Sequence, residues 1–331
     1  MTDFFKTIEL WGETVPFRIP EDAEQKEHFT EDKGDGINRL TDVSQPSMTW
    51  FPASGREPHP AVLVCPGGGY GILAWNHEGR DICMMLNQIG FSAFLLKYRC
   101  PNRRAAAHAD AARAMRLIRA NAESFGIRAD RVGAIGFSAG AHLAATISAP
   151  ADAVPYPPVD DADAESYRPD FTALIYPAYL VEDDLKIAPE FRIDSSVPPT
   201  FLVQAEDDCV RPENAVAWFL ALKRSKVPAE LHIWPEGGHG YGILRTGNPI
   251  EEWPVPACAW PVRSPAPRGT WKPWRPVCSR RSTPMQRLSA PIPSSCPAWA
   301  PWVRSWAMRP ILPPWAISPC MSTLAWCRHS R

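Results

Sequence analysis

The residues spaced for nucleophilic chemistry centre on one turn. Residues 133–142 read Gly-Ala-Ile-Gly-Phe-Ser-Ala-Gly-Ala-His. Within them, Gly136-Phe137-Ser138-Ala139-Gly140 matches G-x-S-x-G, the sharp turn that lifts a serine hydroxyl out between a strand and a helix. Side chains two residues before and after such a serine would collide, so both positions must be nearly bare. An apolar run at 132–135 has strand character, and a small-residue run at 139–145 has helix character. That helix would aim its free N–H groups at the serine and favour negative charge there.

A serine hydroxyl needs a positioned base, and the base needs a carboxylate that fixes its tautomer. For a serine on this kind of turn, the acid and then the histidine follow in the chain. His28, His59, His77 and His108 precede Ser138, and His329 lies in an aberrant C-terminal stretch. His142 falls one turn into the following helix and reads as a packing residue, and His232 falls within a strand. His239, flanked by Gly238 and Gly240 after the last strand, is the expected base. For the acid, Glu206-Asp207-Asp208 runs off a strand end. Asp207 is the choice from this run, with Asp208 and then Glu206 as alternatives. The developing oxyanion needs N–H donors. Ala139, directly after the serine, and Gly68 and Gly69 in the loop Pro66-Gly67-Gly68-Gly69-Tyr70 are the expected ones. A glycine triplet after a strand can also cradle phosphate, but no G-K-[ST] follows here. Tyr70 and His77 are the candidate substrate contacts, with packing beneath the site the other role open to His77-Glu78-Gly79.

The elements that must hold these residues follow from hydrophobic pattern. Residues 61–65 are a continuous apolar run, as expected of a strand covered on both faces, and residues 91–98 read as the next buried strand. Helices are expected at 80–90 and 105–125, each closed by a glycine. Further strands are expected at 171–176, 199–205 and 230–234, with a helix at 213–223. Strand–helix alternation of this kind predicts an α/β fold with a mostly parallel twisted sheet and helices on both faces. Residues 8–11 and 48–51 read as an antiparallel lead-in. Residues 149–168 are proline-rich and acidic, a surface insertion that could form a lid or a pocket wall.

The chain has 331 residues and a net charge of −1. That figure conceals an asymmetry. No Asp or Glu follows Glu252, whereas residues 253–331 hold ten Arg and one Lys. The tail carries +11, which leaves −12 for residues 1–252. An acidic body does not suit a nucleic-acid partner. The tail also holds 16 of the 37 prolines and nine of the 14 tryptophans, and prolines interrupt every run. The expected organisation is therefore a catalytic domain at 1–252 and a poorly packed Pro/Trp/Arg-rich tail at 253–331, as a frame-shifted reading of a GC-rich gene would produce. Cys65, Cys83, Cys100 and Cys209 are scattered without C-x-x-C pairing, so neither a metal nor a redox motif is expected. No apolar run is long enough to span a membrane, and the first residues lack a basic n-region, so a cytoplasmic location is expected.

Taken together, Cys65-Pro66-Gly67-Gly68-Gly69-Tyr70, Asn76-His77-Glu78-Gly79, Leu96-Lys97-Tyr98-Arg99, the Ser138 turn with His142-Leu143-Ala144-Ala145, and Gly237-Gly238-His239-Gly240 resemble the bacterial α/β-hydrolase esterases of the acetylxylan-esterase-like type. The resemblance covers about residues 45–250. It implies the α/β-hydrolase fold and hydrolysis of short-chain acyl or acetylated sugar esters through an acyl-enzyme, without metal or cofactor. It also selects Asp207, because the family's acid stands three residues before the valine matched by Val210. The family's next proline would fall at 211, where Arg211 stands, with Pro212 one residue later. The C-terminal helix that covers one sheet face in the family has no counterpart in the tail. A serine peptidase of the prolyl-oligopeptidase kind and a non-catalytic hydrolase-fold binding module are the competing expectations.

Overall fold

The apolar run at 61–65 and the stretch at 91–98 become neighbouring strands buried on both sides. The computed structural model describes residues 5–55, 57–152 and 156–257. The chain divides into two units, Met1–Cys278 and Ser279–Arg331, and every described element lies in the first. The expected frame-shifted tail from residue 258 onward lies outside the described residues.

Eight strands form the main sheet: β1 (Lys6–Glu9), β4 (Ser47–Phe51), β5 (His59–Cys65), β7 (Ser92–Lys97), β8 (Ile127–Phe137), β9 (Thr172–Ile175), β10 (Thr200–Ala205) and β11 (Ala229–Trp234). Their order is β1-β4-β7-β5-β8-β9-β10-β11. The lead-in pairs β1–β4 and β4–β7 are antiparallel, and every pair from β7–β5 to β10–β11 is parallel. A small second sheet joins β2 (His28–Phe29), β3 (Arg39–Thr41) and β6 (Leu73–Ala74). The helices are α1 (Asp81–Gln88), α2 (Arg104–Ala120), α3 (Ala139–Ser148) and α4 (Glu213–Arg224).

The period of two along each strand sorts side chains into two cores. Ala61, Leu63 and Cys65 of β5 and Phe94 and Leu96 of β7 pack with Met115 of α2, Leu143 of α3 and Trp218 of α4. Val62 and Val64, with Ala93 and Leu95, face the other way, toward Ile82 and Leu86 of α1 and Trp253. Three helices thus cover one face, and α1 with a C-terminal segment covers the other. Trp253 is 1% exposed and its indole N–H donates to the Gly242 carbonyl at 2.7 Å, so the body continues past residue 252. Composition alone places the boundary before Trp253.

Charge secures the periphery. Arg113, Arg116 and Arg119 recur along α2 at helical spacing and pair with Asp160 and Asp163 of the proline-rich insertion and with Asp170 just beyond it. The insertion is therefore fastened to α2. Buried Arg99 pairs with Asp110 at 2.7 Å, and the Trp11 indole donates to the same carboxylate at 2.8 Å. These bonds tie the N-terminal lead-in to the layer beneath the sheet.

Candidate active site

The turn at Ser138 is enforced by sterics. Ser138 sits between the end of β8 and the first residue of α3 with φ at +51°, a left-handed conformation that costs a non-glycine residue energy. A Cβ on Gly136 would lie 2.1 Å from the Gly140 carbonyl oxygen, and one on Gly140 would lie 2.1 Å from that of Cys65. Both contacts are with backbone, so the two glycines are obligatory. The Ser138 N–H donates to the Ile175 carbonyl at 3.0 Å, and its own carbonyl accepts from Ala141, His142 and Ala178. Every residue of α3 is buried. The nucleophile candidate is therefore seated on a rigid base.

The other two side chains arrive on loops beyond neighbouring strand ends. His239 follows β11, and its Nε2 lies 2.8 Å from Ser138 Oγ. Its Nδ1 lies 2.8 Å from Asp208 Oδ2. The Asp208 side chain is fully buried, and it also accepts from Gln204 Nε2 at 3.0 Å and from the Val210 N–H at 2.7 Å. A carboxylate that only accepts fixes the proton on His239 Nδ1 and leaves Nε2 free to take the serine proton.

The expected acid, Asp207, does not reach the histidine ring. It is exposed, and its Oδ1 accepts from the Gly238 N–H at 2.8 Å. Glu206 is also exposed. The physical reason is the turn after β10: the bond from Val210 N–H to Asp208 turns that carboxylate inward, so its neighbour points out. Asp208, the carboxylate that meets the ring, lies four residues before Pro212. Had the resemblance been registered on that proline instead of on Val210, it would have selected Asp208.

The glycine loop divides its donors between structure and site. Gly67 N–H donates to Glu78 Oε2 at 2.7 Å and is committed. Gly68 and Gly69 adopt φ of +127° and +64°, and a Cβ on Gly68 would lie 2.2 Å from the Ile72 carbonyl oxygen. Gly67 packs directly on Ser138, since a Cβ there would lie 3.0 Å from Ser138 Cβ. Ala139 opens α3, so its N–H has no intrahelical acceptor.

Tyr70 and His77, the candidate substrate contacts, are 2% and 1% exposed and present almost no surface to a ligand. His77 Nε2 lies 3.1 Å from the Gly240 carbonyl and so braces the His239 loop. The Tyr70 hydroxyl lies 2.8 Å from His142 Nδ1, and His142 Nε2 lies 3.1 Å from Glu190 Oε1. Burial holds the His142 imidazole below its ordinary range and pushes the Tyr70 phenol up. The neutral His142 thus accepts from Tyr70 and donates to Glu190. It is a packing residue, as its place in the helix suggested.

Two contributors were missed in the sequence. Tyr179 is 40% exposed beside the site, following Ala178, whose N–H bonds the Ser138 carbonyl, and the Arg104 guanidinium lies 4.2 Å from the centre of its ring. Tyr176 presents its ring edge-on to that of His239, with centroids 5.1 Å apart. Neither carries a motif. Among the described residues no group of three or more His, Cys, Asp or Glu side chains is arranged to hold a metal ion.

A mostly parallel sheet with a serine on the strand–helix turn after β8, and partners beyond later strands, defines the α/β-hydrolase class. The comparisons agree and go further: the chain belongs to the α/β-hydrolase esterases of the acetylxylan-esterase-like type. A family model described as BD-FAE matches residues 49–154. Over 209 residues the chain is 29% identical to the acetylxylan esterase of Xylanibacter ruminicola, covering 55% of this chain and 41% of that protein. Over 208 residues it is 31% identical to endo-1,4-beta-xylanase B of Butyrivibrio fibrisolvens, covering 55% of this chain and 32% of that one. The chain thus spans less than half the length of either curated relative. The crystal structure of an acetyl ester-xyloside bifunctional hydrolase from Caldicellulosiruptor lactoaceticus superposes with a TM-score of 0.62 at 30% identity, over 77% of this chain and 94% of that one. A thermophilic esterase from Thermogutta terrifontis shares the fold, with a TM-score of 0.58 at 21% identity over 76% and 97% of the two chains. No described helix is long and apolar enough to cross a membrane.

Proposed function

We propose that this chain is a serine carboxylic ester hydrolase that removes acetyl or other short acyl groups from sugars or small alcohols. The observation that carries the reading is the unbroken run of two 2.8 Å contacts from Asp208 through His239 to Ser138. Ser138 Oγ attacks the ester carbonyl while His239 Nε2 takes its proton. Buried Asp208 orients the ring and stabilises the imidazolium. The N–H groups of Gly68, Gly69 and Ala139 receive the oxyanion, Gly67 being committed to Glu78. His239 returns the proton to the departing alcohol, and a water activated by the same imidazole releases the acid. No metal or cofactor takes part in this scheme.

The preference for sugar esters rests on two supports. Proteins that this chain resembles are named as an acetylxylan esterase and an acetyl ester-xyloside hydrolase. At the rim, the Tyr179 ring and the Arg104 guanidinium supply an aromatic surface with N–H donors, suited to a sugar's apolar face and its hydroxyls. The test is Ser138→Ala assayed on p-nitrophenyl acetate and on acetylated xylan. Loss of both activities is expected, whereas retained turnover would reject the assignment. An aminoacyl-anilide assay alongside separates an esterase from a peptidase.

A further inference from the structure

The oxyanion loop and the histidine loop lie far apart in sequence, yet one buried carboxylate joins them. Glu78 is 3% exposed. Its Oε2 accepts from the Gly67 N–H at 2.7 Å, and its Oε1 accepts from the Tyr176 hydroxyl at 2.7 Å. The Tyr176 oxygen in turn accepts from the Gly242 N–H at 2.9 Å, three residues beyond His239. The preceding residue, His77, bonds the Gly240 carbonyl, and its own carbonyl accepts from the Ile243 N–H at 3.3 Å. Gly242 closes onto His77 so tightly that a Cβ there would lie 2.6 Å from the imidazole. Both carboxylate oxygens of Glu78 are thus spent on groups that frame the site.

We propose that Glu78 is a positioning residue that holds the Gly68–Gly69 donors and the His239 loop in a single register. It acts on one side directly, through Gly67, and on the other through Tyr176 and Gly242. Both carboxylate oxygens must accept for the link to hold. An amide at the same position keeps the shape but replaces one acceptor with a donor. The buried donor it faces is then left unpaired, and the loop moves to satisfy it. A displacement of about 1 Å in a reacting group is worth on the order of 100-fold in rate.

The proposal rests on the serine-esterase reading and has its own test. Glu78→Gln, Tyr176→Phe and the double variant are titrated with a fluorophosphonate to count active sites, then assayed on p-nitrophenyl acetate. Per titrated site, kcat is expected to fall roughly 10- to 100-fold in Glu78→Gln and by a smaller factor in Tyr176→Phe, with KM within about threefold. The double variant is expected to be no worse than Glu78→Gln, because both substitutions cut the same link. Glu78→Asp, which keeps two acceptors, is expected to recover part of the loss. A merely structural role would lower the number of titratable sites and leave kcat per site unchanged, and that result would overturn the proposal. So would fully additive losses. If Glu78→Gln does not fold, Tyr176→Phe alone decides by the same criteria. Inactivity of Ser138→Ala with full kcat in the Glu78 and Tyr176 variants would overturn this inference and leave the esterase reading standing.

Discussion

The two halves of the site are held in place by different physics. Ser138 sits on a turn whose every neighbour is backbone or core: two glycines in hard contact, a wholly buried α3 and a strand on either side. His239 sits on a loop in which Gly238, Gly240 and Gly242 all adopt positive φ, and it is held by hydrogen bonds to Asp208, Asp207, His77 and Tyr176. Sterics fix Ser138, and polar contacts fix His239. Substitutions in the first half should therefore cost the fold, and those in the second should cost rate while the fold survives.

The sharpest challenge to that contrast is Gly136→Ala. Its new Cβ would meet the Gly140 carbonyl oxygen at 2.1 Å with no side chain able to yield. A loss of roughly 3 kcal/mol or more is expected, at the severe end of overpacking and a large share of a domain's stability. Urea denaturation checks it, and a near-native midpoint would show that the turn is softer than argued. On the loop side, Asp208→Asn should keep the melting behaviour and lower kcat by roughly 1,000- to 10,000-fold, because the amide no longer fixes the Nδ1–H tautomer. Asp207→Asn keeps an amide oxygen that can accept from the Gly238 N–H and should cost less than about tenfold. A reversal of these two magnitudes would return the role to Asp207.

A smaller effect falls on the serine half through pH. Burial lowers His108 on α2 to about 4, and it holds His142 on α3 below its ordinary 6.5. Both stay neutral in the folded state where the unfolded chain would take up protons. The His108 contribution is therefore complete above about pH 7 and is lost as pH falls through 6.5 toward 4, by up to about 1.4 kcal/mol per pH unit, and that of His142 has the same sign. His108→Gln should weaken the dependence of the urea midpoint on pH between 6.5 and 5.

The same contrast explains what could be read in the sequence. The elbow was legible because steric demand leaves its mark at fixed spacing, and the parallel strands were legible because burial on both faces leaves unbroken apolar runs. His239 was legible from its glycine neighbours and its place after the last strand. The carboxylate that meets His239 was not, because three adjacent carboxylates differ only in which way a turn points them, and a bond from Val210 decides that. Tyr70 and His77 looked available to substrate because motif position says nothing about burial. Glu78 lies in the same short run, on a π-helical turn at Asn76–Arg80 that rolls it inward, and only coordinates show that both its oxygens are spoken for.

The most direct measurement is covalent capture of the nucleophile. Protein treated with a fluorophosphonate and mapped by mass spectrometry should carry one adduct, on Ser138, and His239→Asn should slow its formation by at least about 100-fold. An adduct on another residue, or equal labelling rates with and without the His239 imidazole, would contradict the account.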